Sequence, residues 1–312
     1  MKIINDRYDV IKLLHRESSF VEYLVSDKEK NKEIKRIRIF DTEMSNYDFI
    51  KQMEEQFVEL KTVVHENILS VYEFQAIVTV NGNRVNRKQF FYTYEHFEED
   101  QLVHYTELNK TEINSVIVQL CKAVRFLHFR GVIYKYLNFD QMLILRQNGQ
   151  TILKLRDIAS ILINDYHFKM DHERFSQFIA PEIIWGEETD KHVDVYSLGM
   201  IVYYLYYRID YKTKPLQNLL QVTHTNEIHK FISKSTSHIR DERPDSILKF
   251  IEQLSMLIWI EVDSDDLKYY DKIHDSTKII GRDTLIKDVK RIIELKSKKA
   301  APHHAILIQG EN

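Results

Sequence analysis

Hydrophobic periodicity shifts along this chain from mainly strand spacing to mainly helical spacing, and that shift limits what the chain can fold into. Up to Tyr94 the apolar residues mostly follow strand spacing. Tyr8-Asp9-Val10-Ile11-Lys12-Leu13-Leu14, Glu22-Tyr23-Leu24-Val25 and Ile34-Lys35-Arg36-Ile37-Arg38-Ile39 read as short strands. Gln89-Phe90-Phe91-Tyr92-Thr93-Tyr94 reads as another, behind the hairpin turn Asn81-Gly82-Asn83. One helix interrupts them, with Ile50, Met53, Phe57, Leu60 and Val64 on a single stripe. From Thr111 the spacing becomes helical. Ile113, Val116, Ile117, Leu120, Val124 and Leu127 share a face, and later helices centre on Val195 to Tyr207 and on Ile247 to Ile258. The expected architecture is a small β-rich lobe followed by a larger helical one.

With 312 residues, 44% of them hydrophobic, the chain has enough apolar surface for one two-lobed domain or two small ones. A net charge of -3 provides no basic field for nucleic acid and no polybasic membrane face. The 14 His residues show no metal-ligand spacing, and the lone Cys121 points to a reducing compartment. The N-terminal MKIINDRYDVIKLL lacks the apolar run of a signal peptide, and Ser197 to Leu205 is too short to span a bilayer. A soluble cytoplasmic protein is expected. Glycine is scarce, at 7 residues, and the first is Gly82. No early backbone can therefore approach a phosphate as closely as glycine allows.

The segment YKYLNFDQML, Tyr134 to Leu143, follows a helix ending Phe126-Leu127-His128 and the link Arg130-Gly131-Val132-Ile133. It resembles HRDLKPENIL of the protein kinases. Other anchors follow in the family's order: HENI from His65, KLRDIA around Asp157, Ala180-Pro181-Glu182, Asp194-Val195-Tyr196-Ser197-Leu198-Gly199 and Arg243-Pro244. The resemblance runs from about Arg7 to Trp259. It implies a bilobal protein-kinase-like α+β fold, with the N-lobe and hinge in 1–97 and the C-lobe in 98–260.

The resemblance lies in the frame more than in the chemistry. Tyr136 stands in the place of the catalytic Asp, Asn138 in that of the phosphate-facing Lys, and Gln141 in that of the metal-binding Asn. A phenol ordinarily keeps its proton at neutral pH and is a poor base; Lys135 and Asp140 are the neighbours that could substitute. His15, Glu17 and Phe20 occupy the region of the family's phosphate-binding glycines, so an ordinary hairpin is expected there. KEIKRI resembles VAIK, which makes Lys35 the candidate phosphate-binding lysine; an exposed strand lysine is the alternative. Its helix partner would be Gln56, an amide unable to form the family's ion pair. Tyr94 falls at the gatekeeper, and Glu95-His96-Phe97 at the hinge that would bond adenine through its backbone. Asp157 keeps the metal-binding carboxylate, or else pairs locally.

Three matches are architectural: Glu182, Asp194, whose family role is to hold the catalytic-loop backbone, and Arg243, which pairs with Glu182 in the family. The resemblance thus implies a catalytically inactive, pseudokinase-type domain serving as a regulatory, sensor or interaction module. No cofactor is required, and ATP with Mg²⁺ would bind weakly. Partners are expected to be proteins or downstream domains of the same chain, with no nucleic acid and no membrane. The alternatives are a weak or atypical phosphoryl or nucleotidyl transferase using Lys35 and Asp157, and a nucleotide-binding switch without turnover. Residues 261–278 read as an acidic linker. Beyond it, Ile279-Ile280-Gly281-Arg282-Asp283 and the strand-like Ala305-Ile306-Leu307-Ile308 resemble the start of a signal-transduction P-loop ATPase in 279–312. A tail that packs back on the large lobe is the alternative there.

Overall fold

A computed structural model describes residues 2–17, 20–41, 47–86, 89–156, 176–212 and 226–258. Asp157, the linker at 261–278, the segment 279–312 and the side chain of Gln56 lie outside the described residues.

The N-terminal lobe is one antiparallel sheet in the order β5-β8-β4-β3-β2-β1-β6-β7. Its strands are β1 (Ile3–Ile4), β2 (Tyr8–Arg16), β3 (Phe20–Asp27), β4 (Glu33–Phe40), β5 (Val71–Ala76), β6 (Thr79–Val80), β7 (Asn83–Arg84) and β8 (Phe90–Glu95). Asn81 and Gly82 both have positive φ, 51° and 77°, as a two-residue hairpin turn of the primed kind requires. Helix α1 (Tyr47–Leu60) lies between β4 and β5.

Strand alternation gives this sheet two different faces. One carries Ile37, Ile39, Val25 and Phe91 into a core with Ile4, Tyr8 and Ile77. The other meets α1: Phe57 touches Phe74 of β5 and Tyr92 of β8 at ring distances of 5.7 and 6.4 Å. Met53, Phe57 and Leu60 of the expected stripe are buried. Val64 is not. The helix stops at Leu60, so the stripe no longer governs Val64, which is 74% exposed.

The C-terminal lobe is built on α2 (Lys110–Phe129), whose expected face is buried throughout. Asn109 and Glu112 close a reciprocal capping box at its start. The hairpin β9 (Met142–Gln147) and β10 (Gln150–Leu155) packs on α2 through Gln119, which accepts from Leu153 N and donates to Thr151 O. Asn67 of the HENI segment donates to both Gln119 Oε1 and Leu153 O, fastening that segment to the hairpin.

Then come the short α3 (Pro181–Ile184), α4 (His192–Tyr207), α5 (Glu227–Ser235) and α6 (Ile247–Ile258). Helix α4 is apolar nearly all round and is almost wholly buried. At Gly199 it meets α5 so closely that a Cβ would lie 2.9 Å from Ser235 Cβ and from Thr236 Cγ2. Gly199→Ala is therefore expected to destabilise the domain. The overpacking cost, about 1–3 kcal/mol, outweighs the roughly 0.5–1 kcal/mol that alanine gains over glycine in a helix. A urea titration with a lower midpoint and unchanged slope is the expected readout.

Candidate functional site

The loop joining α2 to β9 is held from below by one buried carboxylate. Asp194, at the first turn of α4, accepts hydrogen bonds from Tyr134 N (2.8 Å) and Lys135 N (2.7 Å) and contacts His128 Nε2 at 2.6 Å. Lys135 is left-handed, with φ 66°. The backbone turns sharply here, and Asp194 fixes the turn. Tyr134 is fully buried and its hydroxyl donates to Arg156 O. This is the arrangement that the resemblance implied for Asp194.

Above that anchor the side chains are engaged with each other. Asn138 donates through Nδ2 to Tyr136 O and accepts from Asp140 N, while Gln141 Oε1 accepts from Asn138 N. The two amides thus form a capping box around the short 3-10 turn Phe139–Gln141. Asp140 is also tied down. Its carboxylate accepts from Tyr211 Oη at 2.8 Å, and its carbonyl accepts from Arg156 Nε. Tyr136 is half-buried in the middle of this loop. Both ends of the Asn138 amide and the oxygen of the Gln141 amide are thus engaged within the loop itself.

The cleft side of the sheet differs from the sequence expectation. Lys35 is not on it. Lys35 shares the face of Ile37 and Ile39, is 3% exposed, and pairs with Asp27 at 2.7 Å and Glu33 at 3.1 Å. Asp27 is fully buried and also receives a bidentate Arg7 guanidinium, with both contacts at 2.7 Å; Arg7 in turn bonds Glu73. Burial alone would push the Asp27 carboxyl up, but the hydrogen bonds and charges of Arg7 and Lys35 outweigh it and hold it well below the ordinary carboxylate range. Lys35 belongs to a structural charge cluster of the upper lobe.

The residues that face α1 from β4 are Arg36 and Arg38. Arg38 stands opposite Tyr92 in the ladder, and Arg36 opposite Tyr94. Arg38 Nε donates to Glu22 Oε1 at 2.6 Å, and Tyr94 Oη donates to the same oxygen at 2.8 Å. The Arg38 guanidinium also lies 4.2 Å from the Phe20 ring centroid. Arg36 reaches the segment after β8. Its Nη2 donates to Phe97 O and to Glu99 Oε1, both at 3.0 Å, and its guanidinium carbon lies 3.6 Å from the Phe97 ring centroid. Glu95 is drawn the other way, accepting from Ser70 N and pairing with Lys154 at 2.7 Å.

Sequence reading missed Glu22, Arg36 and Arg38, although a signal was present. Ile37 and Ile39 alternate with Arg36 and Arg38, so the two arginines had to share the face opposite the apolar core.

Glu182 and Arg243 come together as expected. The pair is bidentate, with Nη1–Oε1 at 2.6 Å and Nη2–Oε2 at 2.9 Å, and both side chains are buried. Arg243 further donates to Ser237 O and His192 O. Burial opposes ionisation of Glu182, yet the Arg243 hydrogen bonds lower its carboxyl below the usual range. Among the described residues, no cluster of His, Cys, Asp and Glu has the geometry to hold a metal ion, and no helix is long and apolar enough to cross a membrane.

Comparisons with known proteins bear on this frame. Over 177 residues the chain is 23% identical to the serine/threonine-protein kinase Pkn1 of Myxococcus xanthus, a match covering 54% of this chain and 24% of that protein. Over 160 residues it is 24% identical to a probable myosin light chain kinase of Dictyostelium discoideum, covering 50% and 44%. The matched part is thus less than half the length of either relative. The kinase domain of Mycobacterium tuberculosis PknI shares the fold at TM-score 0.59 and 16% identity, with 82% of this chain and 98% of that one covered. The model of the protein kinase domain family matches residues 21–258, and the chain belongs to that family.

Proposed function

We propose that this domain keeps the kinase frame without transferring phosphoryl groups, and that it acts through contacts with other proteins or with further segments of its own chain. The observation that carries the reading is the loop around Tyr136. The Asn138 and Gln141 amides are engaged in closing that loop, and the position of the general base holds a phenol. Phosphoryl transfer depends almost entirely on placing base, metal and phosphate. Loss of a general base alone costs about 10²–10⁴-fold in rate. The architectural bonds of Asp194, Glu182 and Arg243 are meanwhile complete. Exposed apolar side chains support a role in contacts. Ile184, Trp185 and Ile239 are each 60% exposed, and Trp185 lies beside the His238 ring.

The relatives named as serine/threonine kinases favour a second reading, a transferase of atypical chemistry that uses Asp157. One assay separates the two. Incubated with labelled ATP and Mg²⁺ or Mn²⁺, the purified protein is expected to leave itself and generic substrates unlabelled. Label that disappears in Asp157→Ala would establish the transferase instead. Tyr136→Asp alone is expected to restore nothing, because Asn138 and Gln141 remain engaged.

A further inference from the structure

The HENI segment, the first turns of α2 and the β9–β10 turn wall a cavity of about 740 Å³, together with residues 95–97. That size falls within the roughly 300–1,000 Å³ usual for small-molecule sites. None of its described lining comes from β1 to β4 or from 134–141, so it is separate from the cleft under the sheet and from the loop around Tyr136. Two of its lining residues carry buried polar atoms with no hydrogen-bond partner among the described residues, Asn67 Oδ1 and His96 Nδ1. Asn67 is 2% exposed, and its Nδ2 donates to both Gln119 Oε1 and Leu153 O. Turning the amide round would break both bonds, so its oxygen is an unmatched acceptor. His96 has Glu98 3.1 Å from Nε2, which keeps the proton of the neutral ring on that nitrogen and leaves Nδ1 an acceptor too. Both atoms lack a donor. Charge points the same way. Glu66, Glu95 and Glu112 line the cavity against a single Lys154. Lys154 answers Glu95 at 2.7 Å and Arg146 answers Glu112 at 2.8 Å. Exposed Glu66 is the carboxylate left over, with no ion pair among the described residues.

We propose that this cavity binds a guanidinium group carried on an aliphatic stem, with Asn67 Oδ1, His96 Nδ1 and the Glu66 carboxylate as its acceptors. A guanidinium presents N–H donors along every edge and no acceptor, which matches a lining whose unmet groups are all acceptors. Both orphaned atoms are closed to bulk water, so only a group that enters the cavity satisfies them. The planar head is slim enough to enter, and its charge offsets that of Glu66 at the rim. A small free guanidine and an arginine presented by a protein share this chemistry, and the test separates them. The site stands whether or not the domain transfers phosphoryl groups, since binding reads the first property and labelling the second.

Calorimetry on the full chain tests this with N-butylguanidine, its neutral isostere N-butylurea, and N-acetylarginine methylamide as probes. Both guanidines are expected to bind saturably and at least ten-fold more tightly than the urea. The tighter of the two identifies the source, a free ligand or an arginine side chain. His96→Leu removes one acceptor and is expected to weaken both guanidines about ten-fold or more. Glu66→Gln, at the exposed rim, is expected to weaken them roughly two- to five-fold. Gln150→Arg, on the exposed β9–β10 turn, supplies a guanidinium from the cavity's own rim and is expected to abolish binding. A parent that binds no guanidine saturably, or binds guanidine and urea equally, would overturn the proposal. So would a folded His96→Leu with the affinity of the parent. If His96→Leu does not fold, unchanged binding in Gln150→Arg overturns it.

Discussion

Asp27→Asn is expected to lower the melting temperature of the domain at neutral pH by roughly 6–20 °C, from a loss of about 3–5 kcal/mol at ~2–4 °C per kcal/mol. Asp27 is fully buried and is the shared partner of Arg7 and Lys35. The amide leaves Lys35 with only the half-exposed Glu33, so a charge 3% exposed loses its main counter-ion. The sign of the pH dependence follows from the depressed Asp27 carboxyl. Its contribution is fully present above the unfolded carboxyl value of about 3.9 and is lost as pH falls below that towards the folded value. The gap in melting temperature between parent and variant should therefore be widest near neutrality and close on acidification below about pH 4. A gap that stays constant from neutral pH down to the acid unfolding limit would remove Asp27 from this role.

A comparable loss, about 3–5 kcal/mol, is expected for Glu182→Gln. Arg243 is buried, and its two strongest partners are the two oxygens of Glu182. The neutral amide can keep one hydrogen bond but not the charge, and the guanidinium then sits unpaired in the core. Replacing both residues, as in Glu182→Leu with Arg243→Met, should recover much of the loss, since a buried pair exchanged for apolar side chains is often close to neutral. The readout is the denaturant midpoint of the two single variants and the double. A Glu182→Gln midpoint equal to that of the parent, or a double variant with the full additive loss, would show that the pair does not act as a unit.

The fold was legible because it rests on periodicity and on a few anchors with local meaning. The interval from Ile113 to Leu127 buries one face of α2 as its spacing requires, and Ile247 to Ile258 forms α6 with those bounds. Asn81-Gly82 supplies the two positive φ values of its hairpin. Asp194, Glu182 and Arg243 find the bonds that the family's pattern assigns them, since a buried charged group is stable only where partners such as these surround it. Val64 fell away because a stripe ends where its helix ends. Lys35 was placed by its local motif alone, which does not say which face of the strand meets the helix.

What the sequence alone determined, then, is the order and type of the elements and the residues standing at the chemical positions: a phenol at 136 and amides at 138 and 141. Only tertiary structure decided how those residues are used. Basic side chains line both faces of β4, and just one face meets α1 and the hinge, so strand pairing with β8 settled that Arg36 and Arg38 enter the cleft while Lys35 joins Asp27. Glu22 became the counter-ion of Arg38 because β3 and β4 pair in the register that sets Glu22 opposite Arg38. The physical reason is range. Periodicity and capping act within a turn or two of chain, whereas the partner of a buried charge is whichever group folding brings within hydrogen-bond distance, in this cleft 16 residues away for Glu22 and Arg38 and 61 for Arg36 and Phe97.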